Sequence, residues 1–248
     1  MRTRLLIIVC IFLVVSALPG CTQTIEFKSE DGLQVTADLY LTADKNAPFI
    51  ILFHQAGWSR GEYLEIAPRL NDMGYNCMAV DQRSGKEVNG VVNETAKRAV
   101  EQALSNNYPD ALPDMYAAIK YVKNNYKSNK LIIWGSSYSS ALVLKITGDK
   151  TDLVDAVLAF APGEYFTNFG KADDWIQQSA KTIKVPAFIT SAKKEHVYWK
   201  NIFEVIPCSK KQSFLPETKG NHGSRALWKQ FDDHTDYWKA VITFLESI

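Results

Sequence analysis

Ser137 lies where an apolar, strand-like run, Leu131-Ile-Ile-Trp134, gives way to a helix-like one, Ala141-Leu-Val-Leu144, through a turn of small residues. With Gly135 two residues before it and Ser139 two after, it has the spacing of a G-x-S-x-G nucleophile elbow. Such a turn forces unusual backbone angles on the serine, so its flanks must be small enough for strand and helix to approach. Gly135 and Ser139 meet that demand. Ser136 as nucleophile would put bulky Trp134 at a position that has to be small, and Ser139 comes late after the apolar run. The chemistry implied is nucleophilic. A serine hydroxyl attacks poorly at neutral pH and needs a histidine to take its proton and a carboxylate to orient that histidine.

The chain has four histidines. His222 sits in the small-residue loop Lys219-Gly-Asn-His-Gly-Ser224, just after the last strand-like segment, from which its ring can reach back over a sheet edge to Ser137. His54 ends an apolar run and reads as a brace for the loop that follows. His234 lies among polar residues and reads as a solvated group, while His196 is expected to point away from its neighbour Glu195. Attack on an acyl carbonyl creates an oxyanion that two backbone N–H groups must meet. Tyr138, next after the elbow serine, offers one.

The elements that must position these residues follow from periodicity. Thr24 to Lys28 and Leu33 to Leu41 alternate as strands around the turn Glu30-Asp31-Gly32, an antiparallel edge. Pro48 to Phe53, Cys77 to Val80, Leu131 to Trp134, Val154 to Phe160 and Pro186 to Thr190 are apolar runs of the kind covered on both faces, and Gln212 to Pro216 begins a last strand. Helical spacing appears at Tyr63 to Met73, Asp114 to Tyr126, Lys171 to Lys181, Val197 to Ile206 and Tyr237 to Leu245. Lys86 to Asn107 reads as a polar loop with a helical piece at Asn93 to Leu104, and its length makes it a candidate cover for a site. Alternation of strand and helix predicts an α/β domain whose reactive groups collect at the carboxyl ends of the strands.

Order, elbow and flanking motifs together resemble the α/β-hydrolase family, in the style of its small dienelactone-hydrolase-like members, over nearly all of the chain from residue 21. The resemblance implies a mostly parallel eight-stranded sheet with an antiparallel N-terminal edge and helices on both faces. It also implies the chain order serine, acid, histidine. The acid falls to Glu195, which follows Pro186 to Thr190 at the distance where the family keeps its aspartate or glutamate; Asp81 and Glu164, which also end strands, stay as alternatives. His54-Gln-Ala-Gly57 is similar to the family's His-Gly-x loop and offers Ala56 as the second oxyanion donor, with Gln55 as its alternative. Gln55 and Ser139 stand where the commoner pattern has glycine, and Ser139→Gly is therefore expected to leave activity intact or raise it. The activity implied is cofactor-free and metal-free serine hydrolysis of a carboxylic ester or related acyl bond. A peptidase or thioesterase is the alternative within the class, and a catalytically silent binding or envelope module the alternative outside it.

Composition sets the remaining bounds. The 248 residues, 46% hydrophobic and 22% charged, suit one domain, and 28 basic against 27 acidic residues leave a net charge of +1 that gives no hold on nucleic acid. Arg2 and Arg4 precede the apolar run Leu5 to Val15, too short to span a bilayer, and Leu18-Pro-Gly-Cys21 resembles the bacterial lipobox. Residues 1–20 are accordingly expected to be a lipoprotein signal peptide, Cys21 the lipidated residue, and 21–248 a single domain held at the outer membrane facing the periplasm. Cys77 and Cys208 are expected not to pair, since several strand spacings would separate them. Trp58, Tyr138, Tyr165, Phe166, Trp175, Tyr198 and Trp199 fall near strand ends and could wall an aromatic cleft, and Lys193 and Lys194 could favour an acidic substrate.

Overall fold

The computed structural model describes residues 22–248. The expected signal peptide, residues 1–20, and Cys21 lie outside the described residues. An antiparallel pair opens the sheet: β1 (Gln23–Lys28) and β2 (Gln34–Tyr40) are joined by a turn that Gly32, at φ +86°, permits. Then come β3 (Phe49–Phe53), the helix α1 (Ile66–Asp72) and β4 (Asn76–Val80). A small hairpin, β5 (Glu87–Val88) and β6 (Val91–Val92), leads into α2 (Glu94–Glu101) and α3 (Leu112–Asn125). The elbow joins β7 (Leu131–Ser136) to α4 (Tyr138–Asp149), and β8 (Ala156–Phe160), α5 (Trp175–Ala180), β9 (Ala187–Thr190), α6 (His196–Val205), β10 (Lys211–Phe214) and α7 (His234–Glu246) complete the chain. The main sheet runs β1-β2-β4-β3-β7-β8-β9-β10, parallel from β4 onward.

The apolar runs are continuous because both faces of the sheet are covered. Alternate residues divide cleanly: Ile51, Met78, Ile133, Val157 and Ile189 face the layer of α3, α4, α5 and α6, while Ile50, Cys77, Ile132, Leu158 and Phe188 face α1 and α7. Cys77 on β4 and Cys208 before β10 are free thiols, and β3, β7, β8 and β9 stand between their strands.

One segment departs from its reading. Residues 86–107 contain the hairpin as well as a helix, because Asn89 and Gly90 both take positive φ, 52° and 76°, as a tight two-residue hairpin turn requires. The Asn-Gly pair between Val88 and Val91 was the available signal. The segment docks against β2, where the Thr95 hydroxyl accepts from Thr36 N at 2.9 Å and Arg98 reaches the Gln34 carbonyl. Asn93 also donates to the Gln82 and Trp58 carbonyls, so the stretch braces the loops beyond β3 and β4.

Candidate active site

Ser137 is held at φ 58°, ψ −123°, a conformation that non-glycine residues rarely adopt. Its N–H is fixed to the Phe160 carbonyl at 2.7 Å, and the helix that begins at Tyr138 folds directly back over β7. The approach is close enough that a Cβ on Gly135 would lie 2.4 Å from the Ser139 carbonyl oxygen. Glycine is thus required there by backbone packing. Ser139 does more than fit: buried, it accepts from Ser136 N at 2.9 Å and donates to the Phe53 carbonyl at 2.7 Å, tying elbow to β3.

Glu195 stands in a single turn after β9, and its Oε1 lies 2.7 Å from His222 Nδ1. The other carboxylate oxygen accepts from Ala192 N at 3.1 Å, which fixes the side chain's rotation. Lys193 N donates to the Lys219 carbonyl, so the loop carrying the acid is stitched to the loop carrying the histidine. No hydrogen bond joins Ser137 to His222 among the described residues. Their segments meet one step away, where Ser224 N donates to Ser136 Oγ at 2.9 Å.

Among the described residues the N–H groups of Ala56 and Tyr138 donate to no protein acceptor. Gln55 does not share that freedom, because its N–H donates to Glu62 Oε2 at 2.8 Å; this corrects its reading as an alternative oxyanion donor. His54 is fully buried, with Nδ1 against the Gln55 carbonyl at 2.8 Å and Nε2 accepting from Gln82 N at 3.1 Å. Burial drops its pKa to about 4, so it is a neutral brace. Gln82 carries the brace onward to the Tyr138 hydroxyl at 3.2 Å.

The alternative acids are occupied elsewhere. Asp81 binds the Arg60 side chain and accepts from Glu94 N, and Glu164 caps α5 through Ile176 N and Gln177 N. His196 stacks edge-on to Trp199 with ring centres 4.7 Å apart. His234 is not the solvated group expected: it starts α7 half-buried, with Nδ1 buried and unpartnered. The aromatic cleft also needs correction, since Tyr138, Phe166 and Trp199 are core residues, at 1%, 0% and 1% exposure, and only Tyr198 is widely exposed. Lys193 Nζ is engaged by the Glu217 carbonyl. Among the described residues no three His, Cys, Asp or Glu side chains group as metal ligands.

Sequence reasoning missed Glu62. A glutamate in the polar turn Ser-Arg-Gly-Glu reads as solvated, yet here it is fully buried. It accepts from Gln55 N and from Ser136 Oγ, the latter at 2.7 Å. Only the packing of distant segments around it reveals this.

A family model described as serine aminopeptidase, S33 matches residues 44–167. No curated protein matches the sequence. Among solved structures, the Pyrococcus furiosus esterase Pf2001 is 18% identical, with 92% of this chain and 93% of that one covered at a TM-score of 0.68. A dienelactone hydrolase from Anabaena variabilis is 11% identical, covering 93% and 99% at a TM-score of 0.72. Est1E from Butyrivibrio proteoclasticus, solved with ferulic acid, is 14% identical, covering 90% and 98% at a TM-score of 0.65. At these identities the likeness is one of fold.

Proposed function

The chain belongs to the α/β-hydrolases, in the family described as serine aminopeptidase, S33, and from that premise we propose that it is a serine hydrolase acting through Ser137, His222 and Glu195. The observation that carries the reading is the 2.7 Å contact of Glu195 with His222 Nδ1, on a loop tied through Ser224 N and Ser136 Oγ to the turn that holds Ser137 at positive φ. That contact keeps a proton on Nδ1 and leaves Nε2 as the base. Ser137 Oγ attacks the acyl carbonyl as its proton passes to His222. The oxyanion forms against the Ala56 and Tyr138 N–H groups. Collapse of the tetrahedral adduct expels the leaving group, which takes the proton from His222, and leaves an acyl ester on Ser137. Water, deprotonated by His222, then releases the acid and restores the serine.

A carboxylic ester is the proposed substrate class, supported by the esterases and the dienelactone hydrolase that share the fold. The family description favours a second reading, cleavage of an aminoacyl bond, which a panel of esters, thioesters and aminoacyl amides separates. We further place the protein at the cell envelope through a lipid on Cys21. A fluorophosphonate probe is expected to label wild type at one site and to spare Ser137→Ala and His222→Ala. A folded wild-type protein that takes no label, and hydrolyses no activated ester, would overturn the proposal.

A further inference from the structure

Glu62 has no exposed surface, and among the described residues no basic side chain pairs with it. Removing an ionised carboxylate from water costs several kcal/mol, so an unpaired one kept inside a fold calls for a reason. Its surroundings supply one. Oε2 accepts from Gln55 N, adjacent to the proposed oxyanion donor Ala56. Oε1 accepts from the hydroxyl of Ser136, adjacent to Ser137, and lies 3.5 Å from Gln55 Nε2. Ser136 Oγ accepts in turn from Ser224 N, two residues beyond His222. The packing leaves no slack: a Cβ on Gly223 would stand 2.4 Å from that same Ser136 oxygen. One carboxylate therefore reaches, directly or through one hydroxyl, the segments carrying all three reacting functions.

We infer that Glu62 is a positioning residue of the reaction: its carboxylate locks the oxyanion loop, the nucleophile turn and the histidine loop into one mutual geometry and sets a second negative charge toward His222. The inference rests on the serine-hydrolase reading above. Both carboxylate oxygens meet donors, so the acceptor-only ionised form is the one that satisfies the web. Burial pushes the Glu62 pKa up to about 7, while the hydrogen bonds from Ser136 and Gln55 and the charge of His222 pull it down. The titratable groups facing it are His222 on the loop after β10 and Tyr63 on its own turn. Because the charge favours the imidazolium that His222 becomes on taking the proton of Ser137, its loss should fall on kcat.

The test is Glu62→Gln in the full chain, with steady-state hydrolysis of a short-chain p-nitrophenyl ester. The amide matches the shape but turns an N–H toward a donor. The expected result is a fall in kcat of about tenfold or more with KM changed less than about twofold and a thermal midpoint not lowered. Unchanged kcat in folded Glu62→Gln would overturn the inference, as would a loss that merely tracks lowered stability. Should that variant fail to fold, Ser136→Ala, which keeps the charge and removes one donor, is expected to give a smaller loss confined to kcat; full kcat there would also overturn it. Absence of Ser137-dependent turnover in wild type is a different failure, which removes the serine-hydrolase reading and this role with it.

Discussion

The elbow depends on two side chains that are small for different reasons. Gly135 is dictated by contact, since a methyl group there would collide with the backbone of the following helix. Ser139 is dictated by hydrogen bonding, since its hydroxyl satisfies Ser136 N and the Phe53 carbonyl together. Ser139→Gly is therefore predicted to lower stability by about 2 kcal/mol, through a buried N–H left unpaired and a glycine placed in a helix's first turn. Denaturant unfolding checks the stability, and the probe-labelling rate should fall with it as Ser137 loses its fixed angle. This reverses what the elbow pattern alone suggests for the substitution. The order serine, acid, histidine came from the family resemblance, and the strand ends that Ser137, Glu195 and His222 follow were legible from the apolar runs. Glu62 and the Ser139 bonds were not, because their partners lie 74 and 86 residues away in sequence and only the closed fold joins them.

Loops at the carboxyl ends of β3 and β4 are held by buried polar groups rather than by apolar packing. His54 bridges the Gln55 carbonyl and Gln82 N, and Arg83 is clamped by Asp114 on α3 and Asp31 in the first hairpin. Asp114 is fully buried, so Arg83→Ala should cost about 3–5 kcal/mol by stranding that carboxylate, measured as a lower urea midpoint. For His54 the sign runs the other way from an ion pair. Its folded pKa of about 4 lies below the unfolded value of 6.5, so the stability of the neutral buried ring is present above pH 6.5 and is lost as pH falls toward 4. The stability gap between wild type and His54→Gln should thus narrow by about 3 kcal/mol over that window, a difference in which the other titrating groups cancel. Strands and long helices were readable from period alone. The β5–β6 hairpin was not, because two-residue strands carry too little alternation and only Asn89-Gly90 marks the turn.

At the scale of the whole molecule, sheet order sets which way the site faces. The succession of buried runs was legible, while the order in which the sheet pairs them and the polar web beneath the site had no periodic signature to read. β1 is antiparallel to β2, which is antiparallel to β4, so β1 runs in the same direction as the parallel strands. Gln23 pairs with Leu39, and Leu39 with Met78, the middle residue of β4. The first strand thus begins level with the middle of β4 and at the far edge of the sheet, while His54, Ser137, Glu195 and His222 all follow carboxyl ends of strands beyond β2. With β2, β4 and β3 between β1 and the elbow strand β7, four strand spacings of about 4.8 Å set β1 on the order of 19 Å from β7 across the sheet. Only Thr22 separates Cys21 from β1. A lipid on Cys21, as proposed, would therefore hold the β1 edge of the sheet near the bilayer and keep the site across the sheet from it, open to the aqueous phase. The expected substrate is then a water-soluble ester rather than the membrane's own lipid. Reconstituted into vesicles, the lipidated protein should hydrolyse a soluble short-chain ester with the same kcat/KM as lipid-free Cys21→Ser and should spare an ester embedded in the same bilayer. Preferential cleavage of the embedded ester would show that the domain reorients at the surface and that the sheet does not fix its facing.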